Sequence, residues 1–274
     1  MKSTLIIDAG STKMEWAILE KKKVVDRYTT PGFNPNYASI KVLKEALNRD
    51  FPTVDAVHYY GTGCGLPKNC HRIRNVFRKR FPEAEVFVNH DLMGASHALL
   101  GHQQGVVCIL GTGANSCLYD GENVVAHAVS LGYLVGDEGS GCYIGRKLAR
   151  AYYYSLMPEE LMADFMIKYN VNIEEFIDRV YHQEGASKYL AGFAEFAGEH
   201  IDHPYIQALL KECFNDFIKL FVLIYKESRE WPICFVGSVA FYFQTLLYEC
   251  LSAEGLTMGK VMHSPMDGLI QMYS

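Results

Sequence analysis

The chain of 274 residues predicts an α/β fold in two parts. Through its first half, short apolar runs alternate with segments of helical spacing, and strands mixed with helices in this way indicate packed α/β layers. A strand–turn–strand pattern also occurs twice, at residues 5–19 and again at residues 106–119. In each copy a turn of small and hydroxyl residues separates two apolar runs, which is typical of a buried hairpin.

The elements of the first half follow from apolar runs bounded by turn residues and from helical periodicity. The apolar runs predict strands at 5–7, 14–19, 24–29, 54–60 and 84–88. The helical spacing predicts helices at 39–48, 72–80 and 92–100, of which the second is basic and amphipathic.

The strand pattern restarts at residue 106, with strands predicted at 106–110, 116–119 and 124–129. Residues 146–226 are mostly helical, and apolar side chains recurring at i, i+3 and i+4 predict one buried face there. Its members are Phe214, Phe217, Ile218, Phe221, Val222 and Tyr225. A strand at 233–236 and an apolar helix at about 239–251 follow. Because Gly101 and Gly105 flank a polar turn, we divide the chain into domains 1–104 and 105–274.

Composition and charge exclude several classes of protein. Apolar residues make up 49% and charged residues 21%, and the net charge of −5 is spread over mixed acidic and basic residues. This mixture argues against a broad nucleic-acid surface. We find no signal-peptide pattern and no apolar run near the ~20 residues that a membrane helix needs. Eight scattered cysteines without a C-x-x-C pair indicate a reduced, cytoplasmic protein.

The turn from Asp8 to Lys13 directly follows the first strand. It is neither a Walker A loop nor a G-x-G-x-x-G motif. The hydroxyls and N–H groups of such a turn can bind phosphate oxygens, and an aspartate at the strand end can hold Mg²⁺ through water. An ordinary hairpin turn also explains the motif and, for this turn alone, is the simpler interpretation.

The turn from Gly111 to Ser116 is the second copy of this motif. A displacement of 103 residues places Asp8 on Gly111 and Gly10 on Gly113. A second hairpin turn explains this copy equally well when it is taken alone. Because two turns share the same pattern of small residues, we favour phosphate binding for the pair.

Four further loops carry polar groups. Asp91, at the end of a strand, is either a helix N-cap or a general base. The Gly-rich segment 132–141 contains Asp137, which can bind sugar hydroxyls, and the loops at 31–36 and 61–65 offer further amides and hydroxyls. Gly237 and Ser238 join a strand to a helix start, where anions or a nucleoside can bind. An ordinary structural turn is the alternative for each loop.

Taken in chain order, these motifs resemble those of the actin, Hsp70 and sugar-kinase ATPase superfamily. Within it, the chain is similar to the BadF/BadG/BcrA/BcrD-type ATPases, which join N-acetylglucosamine kinases with benzoyl-CoA-reductase activators. The matching segments are 8–12, 89–91, 111–116, 136–141 and 237–240. The resemblance implies two ribonuclease-H-like lobes around a nucleotide cleft, with a helical insertion in the second lobe and a final helix packing on the first.

The resemblance also implies roles for individual residues. Asp91 matches the catalytic base and Asp8 matches the acid that organises Mg²⁺. The positions matching the phosphate loops are Gly10, Ser11, Thr12, Lys13, Gly111, Thr112 and Gly113. The positions matching adenosine contacts are Gly237 and Ser238, and those matching sugar contacts are Asn34, Thr62 and Asp137.

The resemblance therefore implies a kinase that uses ATP and Mg²⁺ to phosphorylate N-acetylglucosamine or a related amino sugar. We expect no nucleic-acid or membrane partner, and a homodimer stays open. One alternative is a partner-coupled ATPase of the activator type, which needs cysteines for an iron–sulfur cluster between two subunits. The spacing of Cys64 and Cys70 does not suggest such a cluster and favours a kinase. A non-catalytic sugar sensor is the other alternative, and the presence of Asp8 and Asp91 speaks against it.

Overall fold

In the computed structural model, which describes residues 3–170 and 172–274, the chain forms two five-stranded sheets with helices packed on them. The chain separates into two compact units. The first holds the residues up to Gln103 together with Asp120–Val124 and Ser264–Ser274. The second holds Gln104–Tyr119 and Val125–His263. The domain division at residue 104 stays a prediction.

The first sheet is built around a buried central strand. Its strands are β1 (Ser3–Ala9), β2 (Lys13–Glu20), β3 (Lys23–Pro31), β4 (Ala56–Gly61) and β5 (Glu85–His90), in the order β3-β2-β1-β4-β5. Strands β1, β4 and β5 run parallel, whereas β2 is antiparallel to both β1 and β3. The helices of this part are α1 (Ile40–Ala46), α2 (Pro67–Arg80) and α3 (Asp91–Leu100). Each predicted element of the first half is present, with ends that differ by a few residues.

The second sheet repeats the strand order of the first. Its strands are β6 (Gly105–Leu110), β7 (Ala114–Tyr119), β8 (Val124–His127), β9 (Ile233–Val236) and β10 (Met258–Met262). The order β8-β7-β6-β9-β10 matches β3-β2-β1-β4-β5, and the β6–β7 and β6–β9 pairs are antiparallel and parallel like their counterparts. The predicted α/β class and the duplication are therefore confirmed at the level of topology.

In chain order, most helices of the second unit lie between β8 and β9, and a smaller group follows β9. They are α4 (Gly141–Tyr153), α5 (Glu159–Tyr169), α6 (Ile173–Tyr181), α7 (Ala186–Gly192), α8 (Ala194–Glu199), α9 (Pro204–Phe217), α10 (Ser238–Tyr242) and α11 (Gln244–Ala253). After α9 the chain continues as a π-helical turn, and the predicted apolar face, which extends through that turn to Tyr225, is buried throughout. The single helix predicted at 239–251 is wrong, because Phe243 leaves the helical conformation (φ −105°, ψ 20°) and separates α10 from α11.

The end of the chain returns to the first unit. The sequence pattern predicts no strand after residue 251, yet β10 lies there, with a register shift between Met258 and Val261. Helix α12 (Met266–Tyr273) follows and packs against α3. Its side chains Met266 and Leu269 are completely buried.

Two further predictions concern cysteines and membranes. The cysteines are free, and Cys108 and Cys234 are buried in their strands, as expected for small apolar residues. None of the helices within residues 3–170 and 172–274 has the length and apolarity needed to span a bilayer. The cytoplasmic location stays a prediction.

Candidate active site

The carboxyl ends of β1, β4 and β5 bring three of the predicted site residues to one edge of the first sheet. In the parallel register, Ala9 lies beside Gly61, and Gly61 lies beside His90. Asp8, Thr62 and Asp91 therefore occupy neighbouring strand ends. In open α/β sheets this edge is where ligands bind.

Asp91 is the first residue of α3 and is not its cap. The cap is His90, whose Nδ1 accepts the N–H of Met93 at 3.3 Å, so the N-cap interpretation of Asp91 is wrong. The Asp91 carboxylate instead accepts the N–H of Leu92 at 2.9 Å and the hydroxyl of Thr62. Burial raises the pKa of Asp91, while the nearby His90 and these hydrogen bonds oppose that rise. The result is a part-buried carboxylate with a raised pKa at a strand end.

The carboxylate of Asp8 lies close to two other acidic side chains, those of Glu15 and Asp91. Burial, followed by the charges of Glu15 and Asp91, raises the pKa of Asp8 from 3.8 to about 7, although Lys13 lowers it. Glu15 lies directly opposite Asp8 in the β1–β2 register. A site in which acidic groups crowd together favours a cation, which would remove this repulsion.

Glu15 is itself held in place by two positively charged side chains and a hydroxyl group. Its carboxylate contacts Lys13 Nζ at 2.5 Å, Arg27 Nη2 at 3.3 Å and Ser264 Oγ at 3.0 Å. Burial opposes ionisation of Glu15, but these partners together lower its pKa. Glu15 therefore stays charged beside Asp8. Glu15 was not predicted as a site residue, because an acidic residue inside a strand carries no motif.

The turns of the two hairpins, which we name the first phosphate loop (residues 10–13) and the second phosphate loop (residues 111–113), differ in length. The N–H of Gly10 donates to the carbonyl of Lys13 at 3.0 Å, and the N–H of Gly111 donates to that of Gly113 at 3.0 Å. Gly10 thus corresponds to Gly111, a displacement of 101 residues, so the predicted displacement of 103 residues is wrong. After the turns the displacement is 100 residues, because the first turn is one residue longer than the second. Asp8 then corresponds to Ile109, so a carboxylate stands at this position in the first copy and an apolar residue in the second.

The two loops predicted to contact a sugar in the first unit lie against the first phosphate loop and the end of β1. The N–H of Phe33 donates to the carbonyl of Gly10 at 3.1 Å, and the side-chain amide of Asn34 donates to Ser11 Oγ at 3.3 Å. The N–H of Thr62 donates to the carbonyl of the last residue of β1 at 3.0 Å. Ser11, Asn34 and Thr62 are therefore anchored around one turn.

In the second unit, the second phosphate loop is fastened to the start of α4. The carbonyls of Gly111 and Thr112 accept the N–H groups of Gly141 (2.8 Å) and Cys142 (3.1 Å). Ser140 caps α4 by accepting the N–H of Tyr143 on its Oγ at 3.1 Å. The Gly-Thr-Gly turn is thus a rigid feature beside a helix N-terminus, a position that suits anions.

Asp137 lies against the same loop. It is 9% exposed and has a positive φ of 58°, an uncommon conformation for a residue other than glycine. Its carboxylate accepts a backbone hydrogen bond from Ala114, and a Cβ at Gly113 would lie 3.0 Å from its Oδ2. Burial raises the pKa of Asp137. Asp137 therefore supports the second phosphate loop through its described contacts.

Gly237 brings the start of α10 against the second phosphate loop. It has a φ of 131°, and a Cβ at this position would lie 2.4 Å from the carbonyl oxygen of Leu110. Ser238 N lies 4.0 Å from the position that a Cβ of Gly111 would occupy. The predicted adenosine residues Gly237 and Ser238 therefore flank the predicted phosphate residues of the same unit.

Asn69, which was not predicted from the sequence, lies beside the predicted sugar loops. Its buried side-chain amide donates hydrogen bonds to Asn36 Oδ1 and to the carbonyl of Gly63, both at 2.8 Å. Pro67, which suits the first position of a helix, was the signal that could have placed Asn69 in a first helical turn.

Comparison with solved structures finds the same fold in other proteins. The putative N-acetylglucosamine kinase from Porphyromonas gingivalis is 35% identical over 98% of this chain and 98% of its own, with a TM-score of 0.89. The putative N-acetylglucosamine kinase from Chromobacterium violaceum is 15% identical, covers 100% of this chain and 99% of its own, and has a TM-score of 0.76.

A more distant structure is that of the ROK family glucokinase from Streptomyces griseus in complex with glucose and AMPPNP. It is 13% identical, covers 99% of this chain and 98% of its own, and has a TM-score of 0.61. No family model and no curated protein matches the chain. The structural matches confirm the predicted two-sheet, actin-like α/β fold.

Proposed function

The chain belongs to the family of the Porphyromonas gingivalis putative N-acetylglucosamine kinase, and from this membership we propose that it is an ATP-dependent sugar kinase. We propose N-acetylglucosamine or a related amino sugar as its substrate. The observation that carries the proposal is the group formed by Asp8, Thr62 and Asp91 at neighbouring strand ends. Such a group offers one carboxylate for proton transfer and another for a cation.

Asp91 acts as the general base in this proposal. As the γ-phosphoryl group moves to the sugar oxygen, the O–H bond of the sugar breaks and the Asp91 carboxylate takes the proton. The hydroxyl of Thr62 and the N–H of Leu92 hold that carboxylate in one orientation. Asn34, Thr62 and Asp137 are the proposed sugar contacts.

The phosphate loops and the start of α10 provide the proposed nucleotide contacts. Backbone N–H groups and hydroxyls of Gly10 to Lys13 and of Gly111 to Gly113 suit phosphate oxygens. Gly237 and Ser238 are the proposed adenosine contacts, because they stand at the start of α10 directly beside the second phosphate loop. A ROK glucokinase of the same fold binds AMPPNP, which supports the use of ATP.

Asp8 is the proposed residue for Mg²⁺. Burial, followed by the charges of Glu15 and Asp91, raises its pKa, and a divalent cation at its carboxylate would offset both effects. Mg²⁺ keeps several waters and is usually bound through one or two carboxylates together with substrate phosphates, so the single carboxylate of Asp8 is a suitable ligand. When bound, Mg²⁺ neutralises the charge that develops on the phosphates.

ADP release from Mg²⁺-ATP, measured with a panel of hexoses, hexosamines and N-acetylhexosamines and without sugar, tests the proposed function. We expect strong stimulation by one N-acetylhexosamine. Asp91→Asn should lower kcat by about 10²–10⁴-fold while ATP binding survives, because only proton transfer is lost. Asp202→Asn, the same change at an exposed position, should leave kcat unaltered.

The other outcomes of this experiment identify the alternatives. ADP release that no sugar stimulates, together with bound iron, would support a partner-coupled ATPase. Sugar binding without ADP release would support a sugar sensor. Near-normal turnover of Asp91→Asn would contradict the role of Asp91 as the base.

A further inference from the structure

We propose that Asn69 is a positioning residue, which holds the Asn34 loop (residues 32–38) and the Thr62 loop (residues 61–66) in the geometry that binds the sugar. This inference rests on the proposed kinase function. It concerns a side chain on α2 that carries no proposed sugar contact of its own. Its effect is therefore exerted through Asn34 and Thr62.

The Asn69 side chain joins the two loops directly. It is 5% exposed, and Nδ2 donates to Asn36 Oδ1 in the Asn34 loop and to the carbonyl of Gly63 in the Thr62 loop, each at 2.8 Å. An amide nitrogen has two protons, and these two acceptors use both. One buried group therefore satisfies an acceptor from each loop.

From Asn36 the hydrogen bonds continue to the first phosphate loop. The N–H of Asn36 donates to Asn34 Oδ1 at 3.0 Å, and Asn34 Nδ2 donates to Ser11 Oγ at 3.3 Å. The orientation of the Asn34 amide is thus fixed from both sides. A displacement of Asn36 would turn the amide that we propose as a sugar contact.

The Asn34 loop and the Thr62 loop are also in close contact at Gly63. Gly63 has a φ of 74°, and a Cβ there would lie 2.7 Å from Asn34 Oδ1 and 3.1 Å from Asn36 Nδ2. Thr62, which donates its hydroxyl to Asp91, immediately precedes Gly63. Asn69 therefore fixes the backbone next to Thr62 as well as the asparagines of the other loop.

The position of Asn69 on α2 is what makes it a suitable anchor. It lies in the first turn of a 14-residue helix that starts at Pro67, and its own N–H donates to the carbonyl of Leu66 at 2.9 Å. A helix is more rigid than either loop, so it provides a fixed reference for both. An aspartate at this position would direct carboxylate oxygens at two acceptors, and a leucine would leave both acceptors unsatisfied.

The test compares Asn69→Asp and Asn69→Leu with the wild-type protein, using the sugar that stimulates ADP release. We expect the KM for the sugar to rise at least about 10-fold and kcat/KM to fall by as much as about 10²-fold, as misplaced contacts do. The KM for ATP should stay within about twofold, because Asn69 reaches the first phosphate loop only indirectly, through Asn36 and Asn34. Asn75→Asp, the same change at an exposed position of α2, is the matched control.

A second pair of measurements separates positioning from folding and from the proposed function. Asn36→Ala removes the acceptor of Asn69 at an exposed residue, so it should fold and raise the KM for the sugar in the same direction. Without sugar, hydrogen–deuterium exchange of Asn69→Asp should be faster in both loops than in the wild-type protein.

An unchanged sugar KM, or an equal rise in the KM values of sugar and ATP, would overturn the role of Asn69. Unchanged exchange in both loops would also overturn it, even for a proven kinase. If no sugar stimulates the wild-type protein, the proposed function fails first, and the sugar-binding role of Asn69 fails with it.

Discussion

At the scale of single residues, the ionisation of Asp8 connects the site to stability. Burial and the charges of Glu15 and Asp91 raise the pKa of Asp8 from 3.8 to about 7. Because the folded pKa lies above the unfolded one, the folded protein favours the protonated acid. The contribution of Asp8 to the free energy of unfolding is therefore complete below about pH 4, and it is lost as the pH rises to about 7.

We predict that Asp8→Asn is more stable than the wild-type protein at pH 8 in metal-free buffer, because it removes a charge that the fold does not compensate. The full shift would correspond to about 4 kcal/mol, and partial exposure of Asp8 reduces our expectation to about 1–2 kcal/mol. Melting curves at pH 5 and pH 8 check this prediction. The gain should be smaller at pH 5, and Asp202→Asn should show no such dependence. An equal gain at both pH values would contradict it.

Sequence alone could locate Asp91 at a helix start but could not assign its hydrogen bonds. Aspartate is a common N-cap and histidine a rare one, so the residue types favour Asp91 as the cap. The structure uses His90 because the Asp91 carboxylate is drawn to Thr62 from the neighbouring strand end. That partner is distant in sequence, and for the same reason Asn69 and Glu15 were not predicted.

At the scale of elements, the turn between β9 and α10 depends on a conformation reserved for glycine. Gly237 combines a φ of 131° with a ψ of 159°, a region that other residues adopt only under strain. Its Cα faces the backbone of Leu110 at the end of β6. The turn is therefore shaped both by its own dihedral angles and by the neighbouring strand.

We predict that Gly237→Ala destabilises the protein by about 1–3 kcal/mol and weakens the binding of ATP, because the added Cβ must push α10 away from β6. Ser238→Ala keeps this backbone and should retain the wild-type melting temperature. Thermal melting and titration with a fluorescent ATP analogue measure the two effects. A Gly237→Ala protein with wild-type stability and ATP affinity would show that this turn tolerates a side chain.

Strands with continuous apolar runs were predictable, and elements shaped by packing were not. Strand β9 agrees with the predicted residues 233–236, because four consecutive buried residues give an unambiguous pattern. Strand β10 has partly buried residues and a register shift, so it lacks both a continuous run and strict alternation. The break at Phe243 between α10 and α11 has no Gly or Pro to mark it.

At the scale of the whole molecule, the duplicated topology explains why only part of the repeat was visible in the sequence. The hairpins β1–β2 and β6–β7 are compact and retain similar patterns. The equivalence of β4 and β5 to β9 and β10 is hidden, because helices α4 to α9 separate β8 from β9 whereas α1 alone separates β3 from β4. Sequence spacing therefore differs where the spatial order is the same.

The first unit is completed by the last residues of the chain, Ser264–Ser274. A Cβ at Gly268 would lie 2.3 Å from the carbonyl oxygen of Ala98 in α3, and Met266 and Leu269 are completely buried beside it. Asp267 pairs with Arg27, and Tyr273 hydrogen-bonds Tyr60 at 2.5 Å. Helix α12 is thus tied to α3, β3 and β4 although it is far from them in sequence.

We predict that Gly268→Ala lowers the free energy of unfolding by about 1–3 kcal/mol, because the added Cβ overpacks the contact with α3. Gly192→Ala, at the end of α7 where a Cβ meets open space, should change it by less than about 0.5 kcal/mol. Chemical denaturation followed by tryptophan fluorescence measures both values. Hydrogen–deuterium exchange should then quicken in β1 and α3 rather than in β6 and β9, because α12 packs on the first unit. Equal acceleration in both units would mean that α12 stabilises the protein globally and not through the first sheet.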